Sequence, residues 1–203
     1  PVQPGFEALA PPQPQAAPPE SERHLIQLLL NYGNHRLYQT STAADGSRQE
    51  TSFTVAEAVV SDLRADGLTF HHPLCQRIFE QCALMLDLQG SIDTSRFTDT
   101  DDSQLRSFAA TLMIDTFSLC QESWMKKGIY PPKIEDNLLR DVTDSILVFK
   151  RQRIAQQVAD LREDLRSADP DRQMQLLAEI AQYDQLGIKL GHALGQVITP
   201  RYH

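Results

Sequence analysis

The sequence predicts an all-α fold, a compact helical bundle followed by a long antiparallel helical hairpin. Three observations carry this. From Lys133 to Arg166 there is neither Gly nor Pro, and one uninterrupted helix of that length would run about 50 Å at 1.5 Å per residue. Its later part repeats Ile154, Val158, Leu161 and Leu165 at steps of 4, 3 and 4. The final segment sets Leu176, Ile180, Tyr183, Gly187, Leu190, Leu194 and Val197 at alternating steps of 4 and 3, the seam of a helical pair. Between the two, Asp169 and Pro170 supply an N-cap and a first helical residue for the returning helix.

The remaining elements follow in chain order. Residues 1–20, PVQPGFEALAPPQPQAAPPE, hold seven of the 12 prolines and predict an extended, disordered linker with no core of its own. A linker at this position implies the C-terminal piece of a longer protein. ESERHLIQLLLNYG predicts a helix with Ser21 as N-cap, a face of Leu25, Leu28, Leu29 and Tyr32, and a stop at Gly33. RLYQTST and RQETSFTV flank AADGS and predict a short β-hairpin within 36–54. Thr54 caps VAEAVVSDLRADG, with Val55, Val59 and Leu63 inward and Gly67 as the stop. Leu74 to Leu88 form the next helix, ended by Gly90. Asp101, Asp102 and Ser103 lead a helix carrying Leu105, Phe108, Ala109 and Leu112, with acidic residues at its positive end. A short helix covers Ser118 to Lys127. The expected organisation is therefore a linker at 1–20, a bundle at 21–130 and a hairpin at 131–203.

Composition excludes several function classes. A net charge of −8 and a pI near 5.2 oppose nucleic-acid binding, which needs clustered Lys and Arg to displace counterions. No apolar run approaches the roughly 20 residues that span a bilayer, so no membrane partner is expected, and the chain reads as soluble and cytoplasmic. GxSxG, GxxxxGK[ST], GxGxxG and HExxH are all absent, which leaves no catalytic residue and no cofactor site to propose.

Three constellations still need weighing. HHPLCQRIFEQC places His71, His72, Cys75 and Cys82 within twelve residues, and imidazole and thiolate are zinc's preferred ligands. Yet Cys75, Phe79, Cys82 and Leu86 fall at i, i+4, i+7 and i+11, so both cysteines belong to one apolar helix stripe. Core thiols beside exposed histidines are expected, with no metal and no disulfide. Asp99, Asp101 and Asp102 lack the Gly and the terminal Glu of a calcium loop and read as a solvated helix start. Lys150, Arg151 and Arg153 sit among equally dense acidic residues and read as an exposed charged face.

The hairpin holds more apolar residues than one seam consumes, since Leu177, Leu186, Ile188 and Ile198 fall outside it. These residues pack either on the bundle or in a partner's groove. For a partner, Ile188, His192, Ile198 and Tyr202 present one mixed surface. Gly187, Gly191 and Gly195, spaced at four, form a stripe where a partner helix approaches closely.

Taken together, SERHLIQLLLNYG, TVAEAVVSDL, LTFHHPLCQRIFEQC, the acidic-led helix, SWMKKG, DVTDSILVFKRQRIAQQVADL and LGHALGQVI resemble, in that order, the C-terminal helicase-binding domain of bacterial DnaG-type DNA primases. The resemblance covers about 21–198. It implies a helical bundle and hairpin that dock the primase on the N-terminal domains of the hexameric, DnaB-type replicative helicase. It also implies that primer synthesis resides upstream, in a zinc-binding domain and a polymerase core absent from this chain. The insertion RLYQTSTAADGSRQETSF and the long linker depart from the pattern. Two alternatives remain at this stage: the helicase's own N-terminal collar, which LTFHHPLCQRIFEQC followed by GSID also resembles, and a small metal-dependent hydrolase using His71, His72 and Asp residues.

Overall fold

A computed structural model describes residues 17–42, 48–114 and 134–195. Helix α1 (Glu20–Tyr32) lies at the centre, with Leu25, Ile26, Leu28, Leu29 and Leu30 all buried. Apolar residues on more than one stripe make a helix that must be covered on several sides, and α1 packs on four other helices. Its N-cap is Pro19 rather than the expected Ser21. The Ser21 hydroxyl instead donates to the Gln152 side chain across the fold, so a tertiary contact has claimed a group that local rules assign to capping.

Strands β1 (Arg36–Thr42) and β2 (Arg48–Thr54) pair antiparallel, with Leu37 opposite Phe53 and Tyr38 opposite Ser52. Leu37 is buried and Tyr38 exposed, the alternation that a two-faced ribbon requires. The AADGS turn lies outside the described residues. Helix α2 (Val55–Ala65) begins directly on Thr54 with a complete capping box: the Thr54 hydroxyl accepts the Glu57 N–H at 3.1 Å, and Glu57 accepts the Thr54 N–H at 2.6 Å. Helix α3 (Pro73–Gln89) starts at its proline and stops at Gly90, whose φ of +68° is a left-handed value that glycine adopts without strain.

A single turn, α4 (Ser95–Thr98), leads to α5 (Ser103–Met113). The Asp102 carboxylate caps α5 by accepting the Gln104 and Leu105 N–H groups, and it also takes Arg77 at 2.8 Å. The acidic cluster is thus a helix start, as its spacing implies. The helix expected at Ser118 to Lys127 lies outside the described residues.

Helix α6 (Ile134–Ser167) runs unbroken for 34 residues, and α7 (Pro170–Ala193) returns along it after a turn capped by Asp169. The two ends of α6 serve different cores. Leu138, Val142, Ile146 and Phe149 complete the bundle core, while Val158 and Leu161 join Leu176 and Ile180 of α7 in a separate cluster, flanked by Ile154, Leu165 and Tyr183. Among the described residues the architecture is all-α apart from one β-hairpin, as the sequence predicts. The seam's expected last position, Val197, lies outside the described residues. Helix α7 ends at Ala193, and Gly195 follows with φ +66°.

Candidate interaction surface

Where α6 leaves the bundle, buried charges fasten it. Glu22, only 2% exposed, accepts the backbone N–H groups of His71 at 2.8 Å and His72 at 2.9 Å, and its Oε1 stands 3.9 Å from Nη1 of Arg153. Two amides and a cation replace the water that the carboxylate gives up, which makes its burial tolerable. Arg153 also lies over the Phe149 ring at 5.9 Å. One turn back, Lys150 reaches Asp62 at 2.6 Å and Asp66 at 2.7 Å. Burial pulls the Lys150 ammonium's pKa down, but the two hydrogen-bonded carboxylates outweigh it and leave it raised.

These contacts correct the expectation that Lys150, Arg151 and Arg153 form an exposed face: Lys150 and Arg153 are largely buried and paired. The i, i+3 spacing of Lys150 and Arg153, flanking the Ile146–Phe149 stripe, was the available signal. Glu22 carried none, because its partners are distant in sequence.

The histidine and cysteine stretch divides. Cys75 and Cys82 are fully buried in the core. Burial pushes both thiols up to about 12, assisted at Cys75 by Glu22. His71 stays exposed, but His72, expected at the surface, is buried and stacked on Phe108 at 5.3 Å. A proline at the first helical position fixes the chain there, and α5 closes over the ring. Among the described residues no group of three or more His, Cys, Asp or Glu stands ready to hold a metal, and no helix is long and apolar enough to cross a membrane. At pH 8, a disulfide reagent is expected to leave Cys75 and Cys82 unmodified while urea exposes both to it, because only a trace of either is thiolate. Rapid native labelling of either residue would contradict this burial.

The expected partner residues are only partly brought together. Ile188, at 46% exposure, and His192 lie one turn apart on the outside of α7. Gly191 is buried, on the inner side of the same helix. Gly195 is not on the helix; it occupies the left-handed position just past the helix end. The small-residue stripe is therefore broken, and Gly187 does not mediate a close approach either: a Cβ there would sit at an ordinary 3.8 Å from Ile154 Cγ2. Ile198 and Tyr202 lie outside the described residues.

The structure adds residues to this face. Met174 and Leu177 are 74% and 54% exposed, and with the exposed Ala181 they precede Ile188 and His192 at steps of 3, 4, 7 and 4. That spacing puts all five on one face of α7. The face lies to one side of the Leu176–Ile180 seam and stays bare. Leu186 is also exposed, but on the other flank, beside Tyr183 and Leu190 in a groove of about 640 Å³ that reaches the loop at Asp66–Thr69.

Among known proteins, no curated protein and no solved structure matches the chain. A family model described as "Domain of unknown function (DUF8430)" matches residues 11–197. That match spans nearly the whole chain, which therefore belongs to the DUF8430 family.

Proposed function

We propose that this chain is a non-catalytic docking domain, the helicase-interaction domain of a cytoplasmic bacterial DNA primase. Its partner in this reading is the N-terminal region of the hexameric replicative helicase. The bare apolar face of α7 carries the proposal. From Met174 to Ile188 it extends about 21 Å along the helix, and large apolar side chains gathered on one exposed helix face are characteristic of interaction sites. The ordered set of resemblances from SERHLIQLLLNYG to LGHALGQVI names the partner. An acidic net charge of −8 suits a protein partner better than a phosphate backbone.

Titrating the purified chain against the helicase hexamer of the same organism tests this reading. Saturable association is expected, without primer synthesis and without salt-sensitive binding to single-stranded DNA. No association at high micromolar helicase, or primer synthesis by the chain alone, would contradict it.

A further inference from the structure

The bare face of α7 matches itself when reversed. Ala181 lies at its middle, and Met174 and Ile188 stand seven residues to either side, about two turns away on the same face. All three are exposed, Met174 at 74% and Ile188 at 46%. Ala178, three residues before Ala181, is exposed as well, so the centre of the face carries small side chains and its ends large ones. Asp171 and Lys189 are also exposed. Their separation of 18 residues makes five whole turns of 3.6, which sets both on one flank of the face.

We propose that α7 pairs with α7 of a second copy of this chain, antiparallel and centred on Ala181. A two-fold contact requires that a patch fit its own reverse, and this face does. Met174 of each copy meets Ile188 of the other. The small side chains at 178 and 181 let the backbones approach toward the short end of the usual 8–10 Å between helix axes. Asp171 stands against Lys189 of the second copy, offset by about 3 Å along the axis, and this happens twice in the pair. Flanking charges of opposite sign select this orientation, because in a parallel pair the two would lie about 27 Å apart. The footprint, about 21 Å by 10 Å, is well under the roughly 800 Å² per partner of a standard stable interface. The pair is therefore weak and reversible, and a protein that binds the same face more tightly displaces it. Self-association and docking thus compete for one face of α7.

Disulfide cross-linking of the full chain tests this pairing, with Cys120 changed to Ser and the buried Cys75 and Cys82 retained. Single cysteines are introduced as Ala181→Cys, Met174→Cys or Ile188→Cys, and mild oxidation is followed with no other protein present. Ala181→Cys, on the two-fold axis, is expected to give covalent dimers at least tenfold faster than Met174→Cys. Position 174 is 74% exposed, but its two copies lie about 21 Å apart across the axis. Mixing the Met174→Cys and Ile188→Cys chains is expected to give the mixed dimer faster than either chain dimerises alone. Equal rates for Ala181→Cys and Met174→Cys would mean random collision or parallel pairing and would overturn the proposal. Sedimentation of the wild-type chain as a monomer at every concentration reached would overturn it too. The helicase is absent from these measurements, so their outcome is separate from the docking reading, which titration of the wild-type chain against the helicase decides.

Discussion

Phe149→Ala is expected to cost about 3–5 kcal/mol, the usual range for emptying a fully buried aromatic site, and to lower Tm by roughly 10 °C for a chain of this size. Phe149 has no exposed surface, packs on Phe70 at 4.9 Å between ring centres, and lies beneath Arg153. Its ring ends the bundle core on α6, immediately before the helix passes to the hairpin cluster. Truncation therefore leaves a cavity at the junction and removes the surface on which the Arg153 guanidinium rests, beside the Glu22 carboxylate. Leu177→Ala, at a residue 54% exposed, is the matched control and is expected to change stability by less than about 0.5 kcal/mol. Thermal unfolding followed by circular dichroism checks both. Equal effects of the two substitutions would mean that α6 does not complete the bundle core.

Local chemistry made most of the elements legible. The Thr54 capping box, Asp102 ahead of α5, Asp169 with Pro170, and the stop at Gly90 each depend on groups within a few residues, so spacing alone locates them. Errors arose where a distant partner outbid the local rule. Ser21 donates to Gln152 instead of capping α1. Lys150 and Arg153 turn inward to carboxylates on α2, after α2 and on α1. His72 is covered by Phe108. On the candidate surface, subtracting the seam from α7 set Leu177, Leu186 and Ile188 outside it, because a heptad seam buries only one stripe; it left open whether the bundle covers them, and all three are about half exposed. The subtraction could not show which flank each residue takes relative to the bundle. Leu186 and Ile188 look equivalent in sequence, yet they lie on opposite sides of α7. Gly195 was read as helical because a four-residue spacing continues through it, although a helix end needs only one residue to turn.

The second large effect concerns the bare face of α7. Interfaces draw most of their energy from a few buried anchors, each worth roughly 2 kcal/mol or more on truncation. Leu177 and Ile188 are eleven residues apart on this face, about 16 Å, far enough to occupy separate pockets of a partner. An aspartate at each would put an unpaired charge into the interface. Both side chains are about half exposed in the free chain, so helical content and Tm are expected to stay nearly unchanged. The direct measurement is equilibrium binding of the replicative helicase hexamer by the wild-type chain and by the Leu177→Asp, Ile188→Asp double variant, at constant salt and with helicity recorded. A loss of affinity of about a hundredfold with the fold intact is predicted; undiminished binding by the double variant would contradict docking through this face.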